Sequence, residues 1–134
     1  MRINPWILVL ATAAIALPAS GQQRNAANDA ALLTVRMSNF AFDPDHLRLK
    51  AGIPVRLRFI NESSGGHDFS APEFFAASGF PLGSSAPPNG EVAVGSRQSV
   101  EIVVVPHTPG TYRVECTHFL HSLFGMHGTV EVLP

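Results

Sequence analysis

The sequence predicts an all-β domain, a two-sheet antiparallel sandwich with one short helix in an insert. Three observations predict it. Apolar and polar residues alternate singly through short runs, the pattern of strands with one buried face. Gly, Pro and Asn punctuate those runs at close intervals, as turns between short strands require. Only residues 70–90 depart from the pattern, and there the signals are those of a helix start followed by irregular loop. At 134 residues the chain holds one domain and one modest core.

The amino terminus stands outside that core. Arg2 precedes an apolar run over residues 5–17, followed by Pro18-Ala19-Ser20-Gly21. This order reads as a secretory signal over residues 1–21, cut near Gln22 after the small residues Ala19 and Gly21. An uncleaved anchor is the alternative. The run is short for a bilayer span, and no later segment competes as a membrane helix. Residues 22–31 are polar and small without periodicity, a flexible leader, and residues 32–134 form the folded domain. The expected location is therefore periplasmic or secreted, with no membrane attachment once the signal is cut.

The strands follow in order. Leu33, Val35 and Met37 alternate with Thr34, Arg36 and Ser38. Leu47 and Leu49 alternate with His46, Arg48 and Lys50, and Ala51-Gly52 makes a turn. Val55, Leu57 and Phe59 alternate with Arg56, Arg58 and Ile60 before Asn61 ends the run. In the insert, Ser70-Ala71-Pro72-Glu73 has the spacing of a capping box, which predicts a short helix over residues 71–77 ended near Gly79. Phe74, Phe75 and Phe80 are expected to pack locally within it. Residues 99–105 are a β-branched run stopped by Pro106. After the Pro109-Gly110 turn, Tyr112, Val114 and Cys116 share one face while Arg113 and Glu115 point away. Residues 129–133 close the chain as a last strand.

Charge is uninformative about partners and excludes some. The formal net charge is −1 with a single lysine, so neither nucleic acid nor an anionic lipid surface is expected. Cysteine usage says more. An exported domain spends its cysteines on disulfides, and the lone Cys116 can form no internal one. A buried thiol acting as a small hydrophobe is one reading. A metal-bound thiolate is the other, and the stretch CTHFLHSLFGMHG that Cys116 opens supports it.

A copper ion in a one-electron site takes one cysteine thiolate and two histidines in a plane, with a weak axial methionine. Cys116, His121 and Met126 lie on one segment with four residues between each successive pair. A strand end supplies the cysteine, and a loop of that length can wrap an ion and return through Gly125 and Gly128. The second histidine must come from elsewhere. Gly65-Gly66-His67-Asp68, directly after the strand ending at Asn61, is its natural source.

Taken together these motifs resemble a family. Phe42-x-Pro44, Leu47-x-Leu49, Gly52, Val55 and Asn61 resemble the opening strands of the cupredoxins, the small blue copper proteins that include plastocyanin, azurin and the auracyanins. Gly66-His67-Asp68 resembles their glycine-histidine-asparagine corner. Pro109-Gly110-Thr111-Tyr112 before Cys116, and Gly125-Met126-x-Gly128, resemble their closing hairpin. The resemblance implies a Greek-key β-sandwich and one type 1 copper ion held by His67, Cys116, His121 and Met126. It implies a weak backbone contact from Gly66 and a hydrogen-bonded tie between position 68 and Thr117. Asp68 departs from the usual asparagine, since a carboxylate accepts such bonds but donates no amide proton. No ligand is expected at His118.

The remaining histidines divide. His46 on an outward strand position and His107 in a turn are expected at the surface. His118 and His127 are expected to face solvent, the alternatives being the rim of the site or a second ion. Phe119, Leu120, Leu123 and Phe124 cannot all turn inward with the ligands, so an apolar surface around His121 is expected as a docking site for redox proteins. The leading function is a mononuclear electron carrier working as a monomer, with His121 as electron port. Copper storage, delivery or resistance would use the same residues. A multicopper enzyme is excluded because no His-x-His pair and no His-Cys-His run occurs, and a dinuclear centre would need a second cysteine. A cysteine-histidine hydrolase lacks an oxyanion site and a third orienting group.

Overall fold

A computed structural model of the protein describes residues 29–118, 120–121 and 123–134. The expected signal segment, most of the leader and Phe119 lie outside them. The chain runs β1 (Ala31–Ser38), β2 (Ala41–Asp43), β3 (His46–Lys50), β4 (Val55–Asn61) and β5 (His67–Ser70). A helix α1 (Pro72–Ala76), a two-residue β6 (Ser78–Gly79) and a 3-10 turn (Pro88–Gly90) make the insert. Then come β7 (Glu91–Val94), β8 (Ser99–Pro106), β9 (Gly110–Glu115) and β10 (His127–Leu133). β1 thus begins at Ala31, the last residue assigned to the leader.

The strands form two five-stranded sheets, ordered β2-β1-β4-β8-β6 and β3-β10-β9-β5-β7. The sandwich expected from the alternation is present, but two of its pairs run parallel. β1 lies parallel to β4, with Ala31 opposite Val55, and β10 lies parallel to β3, with Thr129 opposite His46. Connectivity explains this. Between β1 and β4 the chain crosses to the second sheet as β3 and returns, and such a crossover brings strands together in one direction. Alternation reports which face of a strand is buried, not which neighbour it meets.

The inner faces follow the alternation closely. In β4, Val55, Leu57, Phe59 and Asn61 are buried while the arginines between them are half-exposed. Phe59 of one sheet meets Phe69 of the other with ring centroids 4.8 Å apart, and Phe42 closes on Phe69 at 5.6 Å. These join Val35, Met37, Val104, Val114 and Val130 in one cluster. The Tyr112 hydroxyl, on the strand leading to Cys116, donates to the Thr108 carbonyl at 2.7 Å and pins the start of β9.

The insert corrects two expectations. Its helix exists but is shorter than residues 71–77, and there is no capping box. Ser70 is the last residue of β5, paired to both Glu91 and Glu115. The N-cap position therefore falls to Ala71, which makes no side-chain cap. Phe74, Phe75 and Phe80 pack on one another as expected, Phe75 meeting Phe74 at 5.1 Å and Phe80 at 6.4 Å. Phe74 and Phe75 also enter the main core, Phe75 against Phe69 at 6.3 Å and Phe74 against Tyr112 at 5.8 Å. Each fully buried phenylalanine contributes about 1.5–3 kcal/mol by leaving water, enough to staple the insert over β9. Gly90 permits this closure. It sits at φ 71°, and a Cβ there would lie 2.3 Å from the Pro72 Cα.

Candidate metal centre

His67 opens β5, and the turn that delivers it is knotted by a buried amide. Asn61, at the end of β4, directs its side-chain N–H groups at the carbonyls of Gly65 (2.7 Å), Val94 (3.0 Å) and Gly95 (3.1 Å). Its Oδ1 accepts from the Ser63 N–H at 2.9 Å and the Ser63 hydroxyl at 2.7 Å. One side chain thus ties the last strand residue of the first sheet, the 61–66 turn and the end of β7 in the second. The sequence reading takes Asn61 as a strand end and as part of the resemblance to the opening strands, with no role in the turn. A polar residue at a position where the alternation demands an apolar one was the signal.

The other face of the site is the segment from Cys116 to Met126, which links β9 to β10. Its base is closed by the Cys116 N–H donating to the Met126 carbonyl at 3.1 Å. Inside it, the Met126 N–H reaches the His121 carbonyl at 3.0 Å and the His121 N–H reaches the His118 carbonyl at 3.0 Å. The loop bends through Leu120 at φ 63° and Gly125 at φ 98°. Only glycine takes the latter conformation without strain. Gly128, just beyond, admits the close approach of β10 to the Asp45 carbonyl.

These two segments bring three donor atoms together. The Cys116 Sγ lies 3.8 Å from the His67 Nδ1 and 3.5 Å from the His121 Nδ1, and the two Nδ1 atoms are 3.1 Å apart. Cys116 and Met126 are fully buried, His67 almost so, and His121 half-exposed. Burial, reinforced by the neighbouring His121 and His118, pushes the His67 pKa down, with Asp68 opposing weakly. Burial also pushes the Cys116 thiol up, against the pull of the Asp68 and His118 backbone amides. The imidazole is therefore held in the neutral form a metal needs. The buried His67 Nε2 has no hydrogen-bond partner among the described residues. Two borderline nitrogens facing a soft sulfur, with a buried thioether on the same loop, are a donor set that fits copper.

Beside this triad sits a second one, Asp68, Cys116 and His118, of a different kind. Asp68 is fully buried. Its Oδ1 accepts the Thr117 N–H at 2.8 Å, and its Oδ2 accepts the Thr117 hydroxyl at 2.8 Å. The tie between positions 68 and 117 is thus made by a carboxylate. His118, expected to face solvent, turns its Nδ1 inward onto the Asp68 Oδ2 at 2.7 Å while its side chain stays 44% exposed. Gly66 lies against that ring, where a Cβ would come 3.2 Å from the His118 Nε2. His46, His107 and His127 are at the surface.

The rim around His121 is apolar. Leu120, Leu123 and Phe124 are 41%, 76% and 60% exposed. A residue absent from the sequence reading joins them. Phe40, in the turn between β1 and β2, stands edge-on to the His121 ring at 5.2 Å and meets Phe124 at the same distance. An aromatic at the tip of a tight turn, with no place in either flanking alternation, was the available sign.

A family model described as a cupredoxin-like domain matches residues 7–132. No curated protein matches the chain. Among solved structures, auracyanin B is 26% identical, with a TM-score of 0.60 over 78% of this chain and 90% of that one. Two others show the fold alone. A dithionite-reduced auracyanin from the photosynthetic bacterium Roseiflexus castenholzii is 18% identical, TM-score 0.60, over 78% of this chain and 98% of that one. Auracyanin A, a "blue" copper protein from the green thermophilic photosynthetic bacterium Chloroflexus aurantiacus, is 23% identical, TM-score 0.54, over 76% and 99%. The sandwich, the histidine at the head of β5 and the cysteine loop closing onto the last strand agree with that match, and the chain belongs to the cupredoxin-like domain family.

Proposed function

We propose that this chain is an exported, mononuclear type 1 copper protein that carries single electrons between redox proteins. His67 and His121 would hold the ion through Nδ1, Cys116 through Sγ and Met126 through its thioether. Copper supplies a one-electron couple that these soft and borderline donors keep accessible. The observation that carries the proposal is the meeting of Cys116 Sγ with the His67 and His121 Nδ1 atoms inside a mostly buried pocket. Auracyanin A, a fold relative, is described as a blue copper protein, which agrees with it.

The chain's own residues do the rest. The two hydrogen-bonded loop ends fix the donor positions before any ion arrives, which keeps rearrangement on electron transfer small. His121 is the exposed edge of the set, and Phe40, Leu120, Leu123 and Phe124 around it form the surface on which a redox partner would dock. Redox contacts are small and transient, and an apolar rim with few charges suits rapid release. The segment over residues 1–21 supports export, and no helix of the described residues is long and apolar enough to cross a membrane. The test is the visible spectrum. The copper-loaded, oxidised protein should show an intense thiolate-to-copper band that Cys116→Ser abolishes without unfolding the sandwich. An unchanged spectrum in that variant refutes the assignment.

A further inference from the structure

We infer that His118 is a positioning residue that completes a three-donor clamp on the Asp68 carboxylate and through it fixes Thr117 and the Cys116 thiolate. A fully buried carboxylate is costly unless hydrogen-bonded on every side. Asp68 receives the Thr117 N–H on Oδ1, and the Thr117 hydroxyl and His118 Nδ1 on Oδ2. The Glu91 carboxylate also faces that hydroxyl, at a looser 3.4 Å. Because a carboxylate only accepts, the His118 Nδ1 must be the donor.

Position 68 and position 118 therefore belong together. An asparagine at 68 would present one accepting oxygen and one donating NH2 group. Against that NH2 the Nδ1–H of His118 would meet another donor, so the bond would survive only by a switch to the Nε2–H tautomer, as a weaker neutral bond; the charge-assisted one needs aspartate. The bond also argues against His118 as a ligand. Its Nδ1 lies 3.8 Å from the Cys116 sulfur, as far as that of His67. Its proton is committed to Asp68, so no lone pair faces the sulfur. Gly66 leaves room for the ring, with its Cα hydrogen where a Cβ would crowd the His118 Nε2 at 3.2 Å.

Two consequences follow, one mechanical and one electrostatic. Mechanically, the clamp ties the residues after Cys116 to β5 and limits opening of the loop. Electrostatically, it spreads the charge of a carboxylate beside the thiolate over three donors. Weakening it leaves a more concentrated negative charge next to the site, which favours the more highly charged Cu(II) and lowers the reduction potential. The second consequence rests on the copper reading above, and the first does not.

The experiment compares wild type, His118→Ala, His118→Asn, Asp68→Asn and the Asp68→Asn/His118→Ala double variant. It reads the rate of Cys116 alkylation by iodoacetamide in the metal-free protein, and the reduction potential of the copper-loaded protein. Loss of one charge-assisted hydrogen bond predicts about tenfold faster alkylation in His118→Ala. It predicts about a tenfold shift in relative preference for Cu(II), which is about 59 mV lower potential for one electron, with the thiolate band retained. His118→Asn, whose amide N–H can take the place of Nδ1–H, should restore both. In the Asp68→Asn background, where at most a neutral bond remains, His118→Ala should change both clearly less than it does in wild type. Equal effects in the two backgrounds, no rescue by asparagine, or a His118→Ala protein indistinguishable from wild type would overturn the clamp. If no blue site forms at all, the copper reading fails, and the alkylation rates alone still decide the clamp.

Discussion

Replacing Asn61 with alanine should destabilise the metal-free domain by about 3 kcal/mol. The figure follows from where each of its partners is left. Asn61 is 1% exposed. The Gly65 and Gly95 carbonyls sit in half-exposed turns and can recover water when the amide is gone. The Val94 carbonyl and the Ser63 N–H make buried bonds to Asn61 and cannot. The Ser63 hydroxyl keeps a second partner, the Gly65 carbonyl at 3.0 Å. Two stranded buried groups at ~1–3 kcal/mol each give about 3 kcal/mol, or a fall in melting temperature of roughly 10–20 °C for a domain of about 100 residues. Urea denaturation of the metal-free protein measures it, provided the m-value stays constant. Asn61→Asp is the sharper control. It keeps the acceptor for Ser63 but turns a carboxylate oxygen towards three carbonyl oxygens, so it should be at least as damaging as alanine. A loss below ~0.5 kcal/mol in either variant, the size of an ordinary surface change, would refute the knot.

Two further outcomes concern the site. Met126→Gln should keep copper bound and lower the reduction potential, because an amide oxygen is harder than a thioether and favours Cu(II); a potential that stays put or rises would mean Met126 is not axial. Leu123→Asp, at the most exposed of the described rim positions, should leave the visible spectrum unchanged and slow electron exchange with the physiological partner by about fivefold or more. Stopped-flow exchange rates at that partner's interface would contradict the docking surface if they did not fall.

Much of this architecture is legible in the chain because its strands have one buried face each. The alternation of Val55, Leu57 and Phe59 with Arg56 and Arg58, or of Tyr112, Val114 and Cys116 with Arg113 and Glu115, states which side faces inward. It is silent on partners, which is why the parallel pairs β1–β4 and β3–β10 surface only in the structure. The ligand loop is legible for another reason: Cys116, His121 and Met126 are soft or borderline donors at spacings a single loop can close. The illegible parts are those in which one side chain serves several segments. Asn61 looks like a strand end until Val94 and Gly95 are seen to lie beside it. His118 looks like a surface histidine because nothing in the linear order shows that Asp68, fifty positions earlier, has an oxygen left to fill. The Ser70 capping box failed for a related reason. Its backbone is recruited into β5, and a ladder bond on each side outweighs a local cap worth about 1 kcal/mol.

The distribution of burial also bears on the choice between passing electrons and passing copper. An acceptor that takes a metal must replace the ligands one at a time, and each replacement needs access to the donor atom. His67 is 1% exposed, and Cys116 and Met126 are 0% exposed. Reaching the last two means opening the loop at its base, against the Cys116–Met126 backbone bond and the Thr117–Asp68 pair. The His121 edge is the part of the set that meets the surface, and it meets it within an apolar rim that would exclude water from a docked interface. An electron needs only that edge and a partner pressed against it. The loop is thus tied at both ends, where its buried donors Cys116 and Met126 sit, and exposed around His121. That arrangement favours exchange of charge over exchange of the ion. Were the protein a copper donor, the expectation would invert. Added Cu(I) chelator would strip the metal in seconds without denaturant, and Gly125→Ala, which strains the loop's left-handed turn, would speed that loss rather than merely destabilise the fold.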